Sequence, residues 1–397
     1  MSWIDLVTAA TKQSEAPERY FWWSALAMLS ATVKKNVYLD RYYYKLYPNI
    51  YVVLVSRRSG LRKGIPVSLA GKILGEVNNT RILDGRNTIE SIIQELSTQR
   101  TVEGGPIQSE AQGILLTGEW DTFLVENDHG LTILTALHNT HEHSAGWKYS
   151  IKSAPAQTLK NPCISLLAAS NETLFNDMVQ AKDIEGGFIA RTFIVYESKR
   201  RGRNSLMERP EGIMEIKALA QHLKEVAKIS GEFKMELPAR VLYDKWYNKI
   251  CDVSDNYDDR TGTLERTGDQ VLKVAMLISL AKKLDLIIEV DDLQEAIDEC
   301  EYCIAGVKKV TMGSGQSEVA ASVGKVLKLL IETEGHELPR MKILQKLWPD
   351  IDVIVLDRVI ETLTASGAVE TYRGRGKVGL MYKMPQKIVD QYSKFRS

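Results

Sequence analysis

The chain of 397 residues has no surplus of either charge: 51 Lys and Arg stand against 51 Asp and Glu. That balance excludes a globally basic nucleic-acid or membrane-surface protein and confines any such surface to a local patch. Cysteine is scarce, with four residues, so a disulfide framework is excluded. Cys163 and Cys251 stand alone. Cys300-x-x-Cys303 sits in a helical pattern without the second pair that a zinc site needs, and buried thiols are expected. Long apolar runs are missing too. The richest, YFWWSALAML at 20–29, is too short to span a bilayer and is flanked by charge. No signal-peptide pattern is evident, and the expected setting is soluble, reducing and cytoplasmic, with no membrane partner.

What is present begins with residues 49–64, NIYVVLVSRRSGLRKG. Apolar β-formers (Ile50 to Val55) give way to a short basic loop that ends on Lys63. Strand, loop, lysine and helix is the build of a phosphate-binding loop, whose N–H groups and helix start attract anions. The pattern departs from G-x-x-x-x-G-K-[ST]. Ser56 replaces the first Gly, Arg62 replaces the second with Gly60 two places earlier, and Gly64 replaces the hydroxyl residue. The competing reading is a strand-turn with basic residues in solvent.

The periodicity predicts one helix over 3–33, then strand-like aromatic sequence over 34–55. There Tyr42, Tyr43, Tyr44, Tyr47 and Tyr51 are read as a packed sheet in preference to base-stacking groups. A helix is expected over 65–77, a short strand over 81–83, and a helix capped by Asn87 that runs to 96. Buried strands are expected at 112–118, 163–170 and 192–197, helices at 132–140 and 172–180, and a hairpin at 147–160. Apolar strands alternating with helices indicate a parallel α/β sheet covered on both faces. From 211 to 310 every strong pattern is helical (213–229, 238–253, 263–283, 291–309), and 313–317 (GSGQS) reads as a linker. The final block reads as three helices followed by a hairpin with a basic tip, a winged helix-turn-helix.

An NTPase needs an acid at the end of a second buried strand and a polar reader on a third, often with an arginine from a neighbouring subunit. Glu119 ends GILLTGE, Asn171 ends CISLLAASN, and Arg191 follows Gly186-Gly187 and precedes TFIVYE. Each has a plain alternative: a strand-end carboxylate, a helix N-cap and a surface salt bridge. Taken together, in this order, these features resemble an AAA+ ATPase core. Residues 15–310 resemble more narrowly the DUF3987-type ATPase domain of phage and plasmid primase-helicases, through YPNIYVVLVSRRSGLRK, LLTGEW, NPCISLLAASNETLF, GGFIARTFIV and LKVAMLISLA. The segment 263–309 also resembles the lid of minichromosome-maintenance-type helicases.

The resemblance implies a P-loop NTPase fold in four parts: an N-terminal helical and strand segment (1–48), an AAA+-like core (49–205), a helical lid (206–312) and a winged helix (317–397). It implies ATP and Mg2+ as cofactors. Ser59, Gly60, Arg62, Lys63 and Gly64 would hold the nucleotide, with Arg266 as lid sensor. Glu119 would activate water, Asn171 would sense the γ-phosphate, and Arg191 would be donated across a subunit interface. Gly64 and Gly118 stand where direct or water-mediated metal ligands usually lie; Ser59, Ser68 or Asp121 are the candidates to compensate, and Arg57, Arg58 and Arg62 could add phosphate affinity.

DNA would meet Lys148, Lys152 and Lys160 of a pore hairpin, and Arg358, Arg373, Arg375 and Lys377 of the winged helix. A solvated loop and a protein-docking module are the alternatives. The segment with His138, His141, Glu142 and His143 reads as a polar loop near a subunit interface in preference to a metal site. The expected function is a ring-forming, hexameric, ATP-dependent DNA helicase or translocase. It would act on single-stranded or forked DNA in replication of a phage, plasmid or integrated element, with a separate primase, in a bacterial or phage-infected cell. The alternatives are a weakly hydrolysing helicase loader or origin-binding scaffold, and a winged-helix regulator with an ATP-sensing domain.

Overall fold

The computed structural model describes residues 1–57, 59–78, 80–85, 88–98, 100–101, 107–108, 110–120, 130–138, 146–151, 154–178, 187–206, 215–256, 259, 261–311, 318–348, 351–374 and 379–389. The chain divides into two compact units, Met1–Thr311 and Met312–Ser397. No helix among the described residues is long and apolar enough to cross a membrane.

The first unit is built on a parallel sheet. Its strands in chain order are β3 (Tyr51–Ser56), β4 (Ile82–Asp84), β5 (Gln112–Thr117), β8 (Cys163–Asn171) and β9 (Thr192–Glu197), and they lie side by side as β9-β3-β8-β5-β4. β3 and β5 are buried at every position, which is why they read as unbroken apolar runs. Alternate residues serve different cores: Val52 and Leu54 face one, Tyr51, Val53 and Val55 the other. Each Val or Leu so buried contributes about 1.5–3 kcal/mol.

On the first face lie α2 (Glu18–Val33), α3 (Gly64–Gly75), α7 (Ile216–Val226) and α9 (Thr263–Lys282). On the second lie α4 (Ile89–Ser97), α5 (Gly130–His138) and α6 (Glu172–Met178). The apolar segment at 20–29 is therefore a core helix, buried almost all round, as an all-round hydrophobic pattern requires. Its hydroxyls are satisfied internally: Ser24 bonds Tyr20 O, and Ser30 bonds Ser165. A last helix, α10 (Val290–Thr311), runs along β9. A Cβ on Gly306 would stand 2.6 Å from Ile194 O, so only glycine permits this approach.

Several expectations are corrected. The single helix over 3–33 is two, α1 (Trp3–Ala10) and α2, because Pro17 stands at the start of α2, where its missing N–H costs nothing. The cap of α4 is Thr88, whose Oγ1 accepts from Ser91 N; Asn87 lies outside the described residues. The block after 206 is not wholly helical. Besides α7, α8 (Leu237–Asn256), α9 and α10 it contains β10 (Gly231–Met235) and β11 (Ile287–Ile288). These join β1 (Val37–Asp40) and β2 (Lys45–Leu46) in a second sheet, ordered β11-β10-β1-β2, that ties the N-terminal segment to the helical block. Tyr42 and Tyr43, in the β1–β2 turn, are not packed: they are 87 % and 89 % exposed.

The hairpin of β6 (Trp147–Ile151) and β7 (Ala154–Leu159) forms where expected. The described residues of the second unit include the helices α11 (Glu318–Ile331), α12 (Arg340–Leu347) and α13 (Val353–Ala365). They share one core with an antiparallel sheet of β12 (Glu337–Pro339), β14 (Leu380–Lys383) and β13 (Glu370–Arg373), in that spatial order. Residues 313–317 lie outside the described residues.

Candidate functional site

In a parallel sheet all strands end at one edge. Here β3 and β8 are neighbours, with Ser56 opposite Asn171, and β5 lies beside β8. The helix that follows β3 packs on the first face through Val67, Ala70 and Ile73, whereas the helix that follows β8 packs on the second through Phe175. Adjacent strands whose helices leave to opposite faces open a crevice at their carboxyl ends, the usual ligand position in an open α/β sheet. The loop from Arg57 to Lys63 leads from this switch point.

Ser59–Leu61 makes one 3-10 turn, Arg62 adopts φ 54°, and Lys63, half-buried, stands at the start of α3. Arg62 thus holds the left-handed backbone that a glycine at this motif position adopts freely. Its guanidinium pairs with Glu15 at 3.4 Å, and Arg200 pairs with the same carboxylate at 3.3 Å. The backbone N–H of Asn204, then Arg62 and Arg200, hold the Glu15 carboxyl below its usual range against the opposing effect of burial. Gly60 is exposed, as is Arg57; Arg58 lies outside the described residues. At the root of the loop, Ser56 Oγ is fully buried with no hydrogen-bond partner among the described residues. An orphaned hydroxyl there calls for explanation.

Beside the loop a cavity of about 590 Å3 is lined by Gly64, Ser68, Asp84, Thr117, Gly118 and Glu119, among others. Gly64 and Gly118 face each other: a Cβ on Gly118 would have Gly64 Cα as its neighbour, 4.0 Å away. Glu119 is exposed, and its turn is fixed by Thr117, whose Oγ1 accepts from Glu119 N and donates to Glu119 O at 2.9 Å. Asn171 Oδ1 accepts from Leu174 N at 2.9 Å, so this residue does cap α6. Asp84, which ends β4, is a cavity residue that sequence reasoning missed. Its signal was present as ILD, a carboxylate closing a short apolar strand. Two carboxylates with hydroxyls in one cavity suit a hydrated Mg2+, which keeps several waters and uses few protein ligands.

Arg191 and Arg266 lie elsewhere. Arg191 precedes β9, so it belongs to the amino edge of the sheet, opposite Lys63. There it lines a second cavity, of about 270 Å3, with Arg41, Arg266, Lys273, Glu265 and Asp269 among its other walls. Arg191 is buried and donates to Gly187 O at 2.9 Å. Gly187 has φ 77°, and a Cβ there would meet the guanidinium at 2.6 Å. Gly187 supplies a turn, Gly186 lies outside the described residues, and the arginine folds back onto Gly187 O. Lys273 is buried and donates to Asn49 O and Oδ1 at 3.0 and 2.9 Å; burial pushes its pKa down to about 8, partly opposed by Asp269. Asp259 accepts from Leu264 N at the approach to α9, and Arg266 is exposed in the first turns of that helix.

Lys148 and Lys160 are exposed on and after the β6–β7 hairpin; Lys152 lies outside the described residues. Arg358 is exposed on α13 and Arg373 at the end of β13, while Arg375 and Lys377 lie outside the described residues. Asp121, His141, Glu142 and His143 do so too. His138 is buried, edge-on to the Tyr51 ring at 4.8 Å. Among the described residues no group of three or more His, Cys, Asp or Glu could hold a metal ion. Cys300 and Cys303 are buried free thiols whose pKa is pushed up by burial. No family model matches the chain, and no curated protein matches it.

Proposed function

We propose that the chain is a P-loop-type ATPase whose nucleotide site is the carboxyl-edge crevice. The observation that carries this reading is the switch point, where the β3 loop with Lys63 opens beside an acid-bearing cavity. In this reading Lys63 meets the β- and γ-phosphates as a point charge. Glu119, outside the packed core, orients the attacking water as general base. Asn171, with Oδ1 engaged at the helix cap, offers its amide nitrogen to the γ-phosphate. Asp84, Ser68 and Glu119 would hold Mg2+ through water, and the ion would neutralise phosphate charge.

The wider reading is an AAA+-like, ring-forming helicase or translocase on single-stranded or forked DNA, acting beside a separate primase in replication of a mobile element. The β6–β7 hairpin would grip DNA through Lys148 and Lys160, and the second unit is read as a winged helix with Arg358 and Arg373 toward phosphates. A role for Arg191 in a neighbouring subunit's site requires its release from Gly187 O. The weakly hydrolysing loader or scaffold is favoured by one specific feature: Gly64 faces Gly118 without a side chain from either.

ATP binding and turnover, with and without single-stranded DNA, test the reading in wild type, Lys63→Ala and Glu119→Gln. The expected result is lost binding in Lys63→Ala. Glu119→Gln should keep binding and lose turnover about 10^2- to 10^4-fold. A wild-type chain that binds no ATP sinks the proposal. Binding without turnover moves it to the loader, and a mass that stays monomeric with ATP removes the ring.

A further inference from the structure

The β1–β2 turn has two large aromatic side chains in water. Tyr42 and Tyr43 are 87 % and 89 % exposed, with ring centroids 4.8 Å apart and edge to face. Tyr42 has φ 66°, a backbone conformation costly for a bulky residue and natural for glycine or asparagine. The turn is nonetheless fixed. Asp40 Oδ1 accepts from Tyr42 N at 2.8 Å, Arg41 O accepts from Tyr43 N at 2.8 Å, and Tyr44 O accepts from Arg41 N at 3.0 Å. An exposed aromatic pair held in a strained, well-bonded turn points to use of the rings.

The residues on either side of the pair, Arg41 and Tyr44, line the amino-edge cavity. Its charged walls are Arg41, Arg191, Arg266 and Lys273 against Glu265 and Asp269, four cations to two carboxylates. Asp269 is engaged by Tyr44 Oη at 2.9 and 2.7 Å, which reduces its opposition to an incoming anion. Arg191 and Lys273 are buried and bonded to carbonyls, so they contribute positive potential from behind, while Arg266 is exposed at the mouth. Stacking surface beside a cationic recess is the combination that binds single strands.

We infer that the Tyr42–Tyr43 turn and the recess at its base form a binding site for single-stranded nucleic acid, separate from the β6–β7 hairpin. Bases stack on the two tyrosines, and a neighbouring phosphate lies toward Arg41 and Arg266. A protein partner fits less well: two tyrosines cover about 150–250 Å2 each, against roughly 800 Å2 per side for a stable interface. The inference rests on the proposed function only for its DNA side and does not need ATP hydrolysis.

The test is fluorescence anisotropy with labelled oligo(dT), without nucleotide, on the full chain. The variants are Tyr42→Gly/Tyr43→Ala and Arg266→Gln, with Lys148→Ala for comparison and ATP binding measured in parallel. The tyrosine variant should lose at least tenfold in affinity, the loss of one modest stacking contact or more. It should not melt at a lower temperature, since both rings are in water and glycine adopts the left-handed conformation of residue 42 without strain. Arg266→Gln should lower the slope of log affinity against log salt by about one. Unchanged affinity in the tyrosine variant overturns the inference, as does wild type that binds no oligo(dT) while binding ATP. A tyrosine variant that changes oligomeric mass and not DNA affinity overturns it in favour of a second copy of the chain. Tyrosine-dependent binding in a chain that binds no ATP upholds it and removes the ATPase reading.

Discussion

The two edges of the central sheet hold their charged groups differently. At the carboxyl edge Glu119 and Asp84 are exposed and line an open cavity beside Gly64 and Gly118. At the amino edge Arg191 and Lys273 are 7 % and 6 % exposed, and each donates to a backbone carbonyl. Groups of the first kind are open to a ligand in the cavity. Groups of the second kind are fixed by the fold and act on a ligand through potential and shape. Removal of a buried, bonded cation should therefore register in stability, and changes at the open edge should register in ligand response.

The largest expected effect on stability is at Lys273. Its pKa is lowered from 10.5 to about 8 by burial. Below pH 8 the lysine is charged in both folded and unfolded chains, and the cost of burying that charge is present in full. Between pH 8 and 10.5 the unfolded chain binds more protons, so this group's contribution to stability rises with pH. Over that window wild type should gain about 3 kcal/mol relative to Lys273→Met. Denaturant unfolding of both proteins at pH 7.5 and 10.5 measures the difference. Parallel profiles would show that Lys273 is not buried as a cation, and the contrast between the edges would fail.

At the open edge Gly64→Ser and Gly118→Asp restore, one at a time, the side chains usual for a magnesium-dependent phosphate site. A Cβ on Gly64 meets nothing within 4 Å, and one on Gly118 has Gly64 Cα as its neighbour at 4.0 Å, so each change fits. Gly64→Ser should alter stability by under about 1 kcal/mol and raise Mg2+-dependent ATP turnover roughly tenfold, if the missing hydroxyl limits the site. Gly118→Asp adds a carboxylate beside Glu119. Its melting temperature should fall without Mg2+ and recover with Mg2+ and ATP. A fall that Mg2+ does not reverse would mean that the cavity is not a cation site.

Much of the sheet was legible because burial on both faces leaves a plain mark: VVLV, GILLT and CISLLAAS are continuous and apolar. The order Lys63, Glu119, Asn171 followed from those strands, since parallel strands end at one edge. What was hidden depended on where side chains turn. Nothing in EGGFIAR tells that Arg191 folds back onto Gly187 O, nor does RYYYK tell which tyrosines leave the sheet. β11 has two residues and β10 buries only Phe233, too little for a periodic signal. The break before α2 was marked by Pro17 alone, inside a segment otherwise apolar at helical spacing.

The smallest effect tests the loop itself. Arg62 has φ 54°, and the side chain at this position also bonds Glu15. Substitution by either Gly or Ala removes the ion pair equally, so the difference between the two variants isolates the backbone. At ordinary helical or extended dihedrals Ala is the more stable by about 0.4–1 kcal/mol, because Gly loses more entropy on folding. At left-handed dihedrals the Cβ of Ala costs about 1–2 kcal/mol, and the order reverses. Arg62→Gly should therefore unfold at higher denaturant than Arg62→Ala by a margin of about 1 kcal/mol, measured at equal m-value. The opposite order would mean that the chain between β3 and α3 does not turn left-handed at Arg62. The loop would then lack the one feature that relates its arginine to the glycine of a phosphate-binding pattern, and the carboxyl edge would lose its claim over the amino edge as the nucleotide site.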